Sequence, residues 1–599
     1  MRIVVAGAED MVVAEVPPTS VRQPDLVVPR QFATEKKLYK EITKPGKTSL
    51  TLESLSAQID EIETVVARDY QGLYLDSLAS FKRKVAAFGF HFANLDIRQD
   101  SRVIHRSFET ARAAFPDCLP ANFDTLDENQ QIAALLALPA QQGLTFDSGS
   151  IADPLELDTL ESLRAIAVIQ GTNGEAGCHR YIISNCRGAI DVARVIALSR
   201  LVGWEPDAFS VDVVPLFETI DDLAGAGDSM SQLYSFADYG EQLRRRHRRQ
   251  TVMLGFSDGT KDGGYLMANW AIHQAKEELT RVSREVGVEV AFFDGRGGPP
   301  ARGGGSTYEF YAALGKRIES NQIQLTVQGQ TVSSYYGNAE AATHNLRQLL
   351  AAGLENNLYD KPERNLDESQ RTLMSELAAI SYEHYKAFKA HPLFIPYLEE
   401  MSTLKYYGET NIGSRPTKRG GGEGLKFEDL RAIPFVGSWA QLKQNVPGYY
   451  GLGTALRALE VQGRLGECSA LYRESKFFKA LVDNSMQSMS KSNFELTAYM
   501  RKHPRFGEFW EQVHDEFRLS IEMALKISGQ SILLEDNPSS RLSIALRQKL
   551  VLPLLVIQQY ALMQVQELSP DNTEARIETY EKMIMRSLFG NVNASRNSA

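Results

Sequence analysis

Cysteine is scarce in this 599-residue chain: four thiols, Cys118, Cys178, Cys186 and Cys468, with no C-x-x-C pair and no zinc-ligand spacing. That excludes a disulfide framework and a cysteine-built zinc site, and it fits a reducing compartment. Positive charge is also in deficit. The formal net charge is -10 and the pI is near 5.7, which excludes a general nucleic-acid binder and makes local basic clusters stand out. No apolar run reaches the ~18 residues that a membrane span needs. The start, MRIVVAGAEDMVV, lacks a basic segment ahead of a long apolar one. A cytoplasmic protein without nucleic-acid or membrane partners is expected.

What the chain does have is apolar content, 43%, enough for a large core. Residues 1–50 carry Pro17, Pro18, Pro24 and Pro29 with little periodicity and read as an irregular lead. Over 51–340 short apolar runs alternate with helical stretches: ANLDIRQDS (93–101), RYIISN (180–185), VDVVPLFET (211–219), TVMLGFSDG (251–259), VEVAFFDGRGG (288–298) and LTVQGQ (325–330). Runs of this length between helices predict parallel β/α architecture. Charged residues at their C-terminal ends are the layout of a barrel active site. From 341 to 599 the pattern is almost wholly helical, interrupted by NIGSRPTKRGGGEG (411–424). The expected fold is an α/β barrel of TIM type, six of its eight strands recognisable, embedded in a mostly α-helical protein.

The segment FFDGRGGPPARGGGS (292–306) carries Arg296 and Arg302 among glycines. Glycine lets backbone approach a ligand closely, and arginine offers a rigid fork matched to phosphate or carboxylate. No Lys-Ser/Thr follows the glycines, so this is not the nucleotide-binding P-loop, and the acidic, apolar context is unlike a repeated RGG nucleic-acid segment. Glu218 and Asp258 end two of the apolar runs; such a pair either holds a hard divalent ion or caps the helices that follow. Lys261 follows Asp258 closely. Arg98 directly follows an apolar run and needs an anionic partner, since an unpaired buried cation is costly. Arg415 and Arg431 add two more cations, so a metal plus an arginine cage suited to phosphoryl chemistry is expected. RRRHRR (244–249) precedes a buried run and reads as a solvated cluster on the opposite face, and His391 reads as an ordinary helix-end residue.

Seven segments, LDIRQDS, VPLFETIDDL, VMLGFSDGTKDGG, FFDGRGGPPARGGGS, NIGSRPTKRGGGEG, LRAIPFVGSWAQ and VPGYYGLGTAL, resemble phosphoenolpyruvate carboxylases in sequence and order. The resemblance covers about residues 55 to 599. It implies carboxylation of phosphoenolpyruvate by bicarbonate to oxaloacetate and phosphate, through carboxyphosphate and the enolate of pyruvate, an anaplerotic supply to the tricarboxylic acid cycle. It implies Mg²⁺ or Mn²⁺ on Glu218 and Asp258; phosphate contacts from Arg98, Arg296 and Arg431; and catalytic roles for Lys261, Arg296, Arg302 and Arg415. It further implies feedback by aspartate at Lys491, Arg547, Asn597 and Arg302, and a homotetramer.

Two departures qualify the resemblance. The position before GRGG, commonly histidine in that family, is Asp294 here. The family's T-A-H-P-T-E motif with its catalytic histidine, and its G-D-R-D-G-N-P motif, have no counterpart in the chain. Those segments would account for the two strands not found. The expectation is therefore an amino-truncated family member or one product of a split gene, impaired in carboxylation, with residues 1–50 outside the homologous part.

Overall fold

A computed structural model describes residues 51–142, 151–358, 365–407, 427, 430–567 and 574–595. Arg415 with its loop, Asn597 and the lead 1–50 lie outside the described residues. The chain divides into two compact units, one from Met1–Leu95 with Arg164–His179, the other from Asp96–Leu163 with Arg180–Ala599.

In the first unit, helix Leu52–Asp69 starts at Thr51, whose hydroxyl accepts the Ser54 amide at 3.1 Å, while the Ser54 hydroxyl accepts the Thr51 amide at 3.2 Å. Reciprocal capping of this kind satisfies two amides that the helix itself leaves unpaired. Helix Leu75–Phe88 pairs with it, burying Leu55, Ile59 and Leu78 against Phe81 and Val85.

The chain forms six strands: β1 (Leu95–Asp100), β2 (Cys178–Ser184), β3 (Asp212–Phe217), β4 (Arg249–Gly255), β5 (Glu289–Gly295) and β6 (Ile323–Leu325), all but Leu95, Cys178 and His179 within the second unit. They form one sheet in strict chain order. β2 to β6 pair in parallel, with Arg180 opposite Asp212, Leu216 opposite Met253, Arg249 opposite Glu289 and Asp294 opposite Leu325. The order follows from helical connections, because a parallel neighbour must be reached by a crossover that recrosses the sheet. One face buries Ile182, Val214, Leu216, Met253 and Phe293. Val213, Val252, Leu254, Val290 and Phe292, which alternate with them, are buried too. Apolar residues on both faces are what a parallel sheet with covered faces requires. Among the described residues the sheet stops at six strands, a curled half-barrel with β1 and β6 at its edges.

The remainder is helical. Helix Glu368–Lys389 presents Phe388, 1% exposed, to a cluster of rings. It stacks on Tyr450 at 4.1 Å and on Phe509 at 5.4 Å, and meets Phe394 edge-on at 4.9 Å. Offset and edge-on pairs add favourable quadrupole contacts to the area buried. Helices Ala432–Gln441, Gly507–Ser528 and Phe394–Met401 are held together through this cluster. Among the described residues no helix is long and apolar enough to cross a membrane.

Phe388→Ala removes a ring from the centre of that cluster and is expected to destabilise the protein by about 3–5 kcal/mol. A denaturant titration followed by tryptophan fluorescence checks it, since Trp439 lies in the same cluster.

Candidate functional site

Strand ends come together around Glu218, which follows β3 and is 3% exposed. Arg98 of β1 donates from its guanidinium to Glu218 Oε1 at 3.1 Å. The backbone amide of Asn185, just past β2 in the left-handed region (φ 55°), donates to Oε2 at 2.7 Å. A Cβ on Gly255, the last residue of β4, would lie 3.2 Å from both Glu218 Cα and Cγ, so glycine there makes room for the carboxylate. Arg98 thus finds the anionic partner that its sequence position required, and its Nε remains buried without a hydrogen bond.

Asp258 does not end a strand. It lies in the first turn of helix Phe256–Gly263, which begins directly after β4. Asp258 and Glu218 line one cavity of about 730 Å³, together with Lys261 and Asp262 from the same helix, Thr219, and Lys389. The Lys261 ammonium is anchored by donating to the backbone oxygens of Phe427 (2.9 Å) and Leu430 (2.6 Å), and it sits over the Phe427 ring at 4.7 Å. Asp262 accepts the Ile220 amide at 3.0 Å and pairs with Lys389 at 3.3 Å. On the outer wall Arg187 is paired with Asp222 and Arg194 with Asp191, each at 3.0 Å. The cavity is therefore lined by both charge signs, with Glu218 just past β3, Asp258 and Asp262 on the helix after β4, and cations around them.

Arg296 and Arg302 are not among the residues lining this cavity. Arg296 is 3% exposed and turns back on its own loop, donating to the carbonyls of Gly303 and Gly304, with its guanidinium over the Phe310 ring at 4.1 Å. Its Nη1 is buried without a hydrogen bond. Arg302 is 5% exposed and donates to Ser257 at 3.2 Å and to Gln328. Burial lowers its proton affinity to about 10, while Asp258 pulls in the other direction. The loop that carries both arginines folds tightly enough that a Cβ on Gly304 would collide with the Gly298 carbonyl.

Asp294 ends β5 in a buried network. It is 1% exposed, pairs with Lys276 at 2.8 Å, and accepts the Tyr311 hydroxyl at 2.7 Å. Burial lowers the Lys276 proton affinity, with Asp294 opposing, and raises that of Tyr311 well above its usual value. Lys276 lies inside helix Tyr265–Glu285 and carried no sequence signal, since a lysine there reads as a solvated helix position.

Lys491 and Arg547 line a separate cavity of about 300 Å³, and Arg302 does not line it. Lys443, which sequence reading passed over, lines it as well. Arg431 stands at the N-cap position of helix Ala432–Gln441 without a side-chain capping hydrogen bond. His391 is a helix-end residue whose Nδ1 accepts the Leu393 amide at 3.1 Å. Arg245 and Arg246 of the basic run pair with Asp207 and Asp212, at the N-terminal side of the sheet.

Glu218 and Asp258 offer only oxygen ligands, the donor type that Mg²⁺ and Mn²⁺ prefer. Their shared cavity and the orphaned Arg98 Nε nearby fit a divalent ion accompanied by an anionic ligand. Among the described residues one group brings three candidate metal-binding atoms within 4.8 Å of one another, Glu511, His514 and Asp515. It occupies one turn of helix Gly507–Ser528, where the His514 ring stacks on Trp510 at 4.9 Å.

Comparison with known proteins gives a consistent result. The family model for phosphoenolpyruvate carboxylase matches residues 28–598. The phosphoenolpyruvate carboxylase of Nitrosomonas eutropha is 34% identical over 494 residues, 80% of this chain and 52% of that protein. That of Corynebacterium efficiens is 35% identical over 507 residues, 81% and 54% respectively. That of Mycobacterium leprae is 32% identical over 568 residues, 91% and 59%. The chain thus spans between about half and three fifths of the length of these relatives, and the family match begins inside the segment read as an irregular lead.

Removing one partner of the buried pair should be costly. Asp294→Asn leaves the Lys276 ammonium without its carboxylate and is expected to lower stability by about 3–5 kcal/mol, whereas the double change Lys276→Met with Asp294→Leu should recover most of that loss. Urea unfolding of the three proteins compares them directly.

Proposed function

Because the chain belongs to the phosphoenolpyruvate carboxylase family, we propose that it serves the carboxylation of phosphoenolpyruvate by bicarbonate, yielding oxaloacetate and phosphate. The observation that carries this reading is the single cavity in which Glu218, Asp258 and Lys261 meet at the ends of β3 and β4. In this proposal Glu218 and Asp258 hold Mg²⁺ or Mn²⁺. Bound there, the ion supplies positive charge to the phosphate and enolate oxygens.

The protein's own groups then divide the work. Arg98, held against Glu218, directs its remaining donors at the phosphate. Arg296 and Arg431 complete the phosphate contacts, and Arg296 must leave the carbonyls of Gly303 and Gly304 to do so. Lys261, fixed by two backbone oxygens, presents a cation beside the enolate. Arg302 and Arg415 stabilise the negative charge that moves from phosphoenolpyruvate to carboxyphosphate. Charge develops where preoriented cations already sit, so little reorganisation is needed. Lys491, Arg547, Asn597 and Arg302 constitute an effector site, for which the resemblance implies aspartate. The half-barrel is the later part of an eight-stranded barrel, and the protein works in the cytoplasm as a homo-oligomer, a tetramer in the family.

The alternative reading is a catalytically impaired fragment or subunit of that enzyme, which would bind phosphoenolpyruvate and release phosphate without fixing carbon. One experiment separates the two. Purified protein with Mg²⁺, phosphoenolpyruvate and bicarbonate is followed for oxaloacetate and for phosphate in parallel. Equal release of both supports the carboxylase; phosphate alone supports the impaired form. In either case Glu218→Gln is expected to lower phosphate release by about 10²-fold or more, and unchanged release would overturn the assignment of Glu218.

A further inference from the structure

Arg296 follows β5, yet its side chain rests on an aromatic platform and does not line the cavity of Glu218 and Asp258. The guanidinium stands over the Phe310 ring at 4.1 Å and over the Tyr311 ring at 5.5 Å, both on helix Thr307–Ala312. That helix is anchored. The Tyr311 hydroxyl donates to Asp294 at 2.7 Å, and the Tyr311 carbonyl accepts the Asn356 side-chain amide at 2.5 Å. The Phe310 ring meets Phe256 edge-on at 5.5 Å, and Phe256 opens the helix that carries Asp258 and Lys261. A Cβ on Gly303 would lie 2.6 Å from Phe256 Cβ and Cγ, so the arginine loop packs on the same residue.

The backbone of Arg296 is tied down as well. Its amide donates to the Asp294 carbonyl at 2.8 Å, and its carbonyl accepts the Thr326 hydroxyl at 2.5 Å. What can move without unmaking the strand end is the side chain, which would exchange the ring and the Gly303 and Gly304 carbonyls for an anion. A guanidinium over an aromatic face is attracted by the ring quadrupole, more strongly where water is excluded, and Arg296 is 3% exposed. The Lys276 ammonium also lies over Phe310, at 5.4 Å, but its ion pair with Asp294 does not involve the ring. An arginine held on the ring is withheld from the substrate, and apparent affinity falls with the fraction of molecules ready to bind.

We propose that Phe310 is a positioning residue for Arg296: its ring sets a resting place for the guanidinium outside the cavity, from which phosphoenolpyruvate must draw it. The resting place stands on the geometry alone. Its effect on substrate affinity rests on the reading given above, in which Arg296 contacts the phosphate.

Three forms of the full chain test it: the native protein, Phe310→Leu, which keeps apolar volume but has no ring, and Phe310→Tyr, which keeps the ring face. Labelling of Arg296 by phenylglyoxal, read by peptide mass spectrometry, is expected to run about fivefold faster in Phe310→Leu and at the native rate in Phe310→Tyr. Calorimetric titration with phosphoenolpyruvate and Mg²⁺ is expected to show binding about fivefold tighter in Phe310→Leu, with Phe310→Tyr restoring the native affinity. A merely structural role for Phe310 would loosen binding, so the sign of the change decides. Should Phe310→Leu fail to fold, Phe310→Met takes its place. An unchanged labelling rate without the ring, weaker phosphoenolpyruvate binding without it, or Phe310→Tyr behaving like Phe310→Leu would each overturn the proposal. Faster labelling without any change in phosphoenolpyruvate affinity, or with no binding of it by any of the three, upholds the resting place and refutes Arg296 as a phosphate contact.

Discussion

The carboxylate of Glu218 is the point on which the site depends. A buried carboxylate persists only when its charge is compensated and both oxygens are engaged. Here Arg98 of β1 supplies the charge and the Asn185 amide after β2 supplies the second donor. Gly255 of β4 leaves the space. Three of the five other strands therefore contribute to the surroundings of one side chain. Parallel pairing dictates this, because strands that run the same way deliver their C-terminal ends to the same side of the sheet.

Buried charge recurs through the molecule, handled in two ways. At the end of β5 the charges cancel internally: Lys276 faces Asp294, and Tyr311 supplies the further hydrogen bond. Around Lys443 the described lining residues bring further cations together, Lys491 and Arg547. The first arrangement secures the strand that leads into the arginine loop. Arg296 and Arg302 fall between the two. Both are buried and satisfied in part by their own loop or its neighbours, and Arg296 keeps one donor without a partner.

The apolar runs were legible because each is bounded by polar residues and is the right length for a strand; β1 to β5 fall on the first five within a few residues, whereas β6 (Ile323–Leu325) meets the sixth, 325–330, only at Leu325. Asp258 was legible as a residue but not in its setting. Its run reads as one continuous element, whereas the strand ends at Gly255 and a helix begins at Phe256. Lys276 and Lys443 gave no sequence signal. Lysine at a helical or post-helical position is ordinarily solvated, and only neighbours distant in sequence take these two out of water.

The sequence by itself determined which segments are strands, their parallel arrangement and the family, since apolar periodicity and ordered motifs are local properties of the chain. Tertiary structure alone decided that Glu218 answers Arg98, that Asp294 answers Lys276, and that Lys443, Lys491 and Arg547 share one cavity. Those are pairings across large separations, and the energy of a charge is set by which groups surround it, a quantity that no local pattern of residues contains.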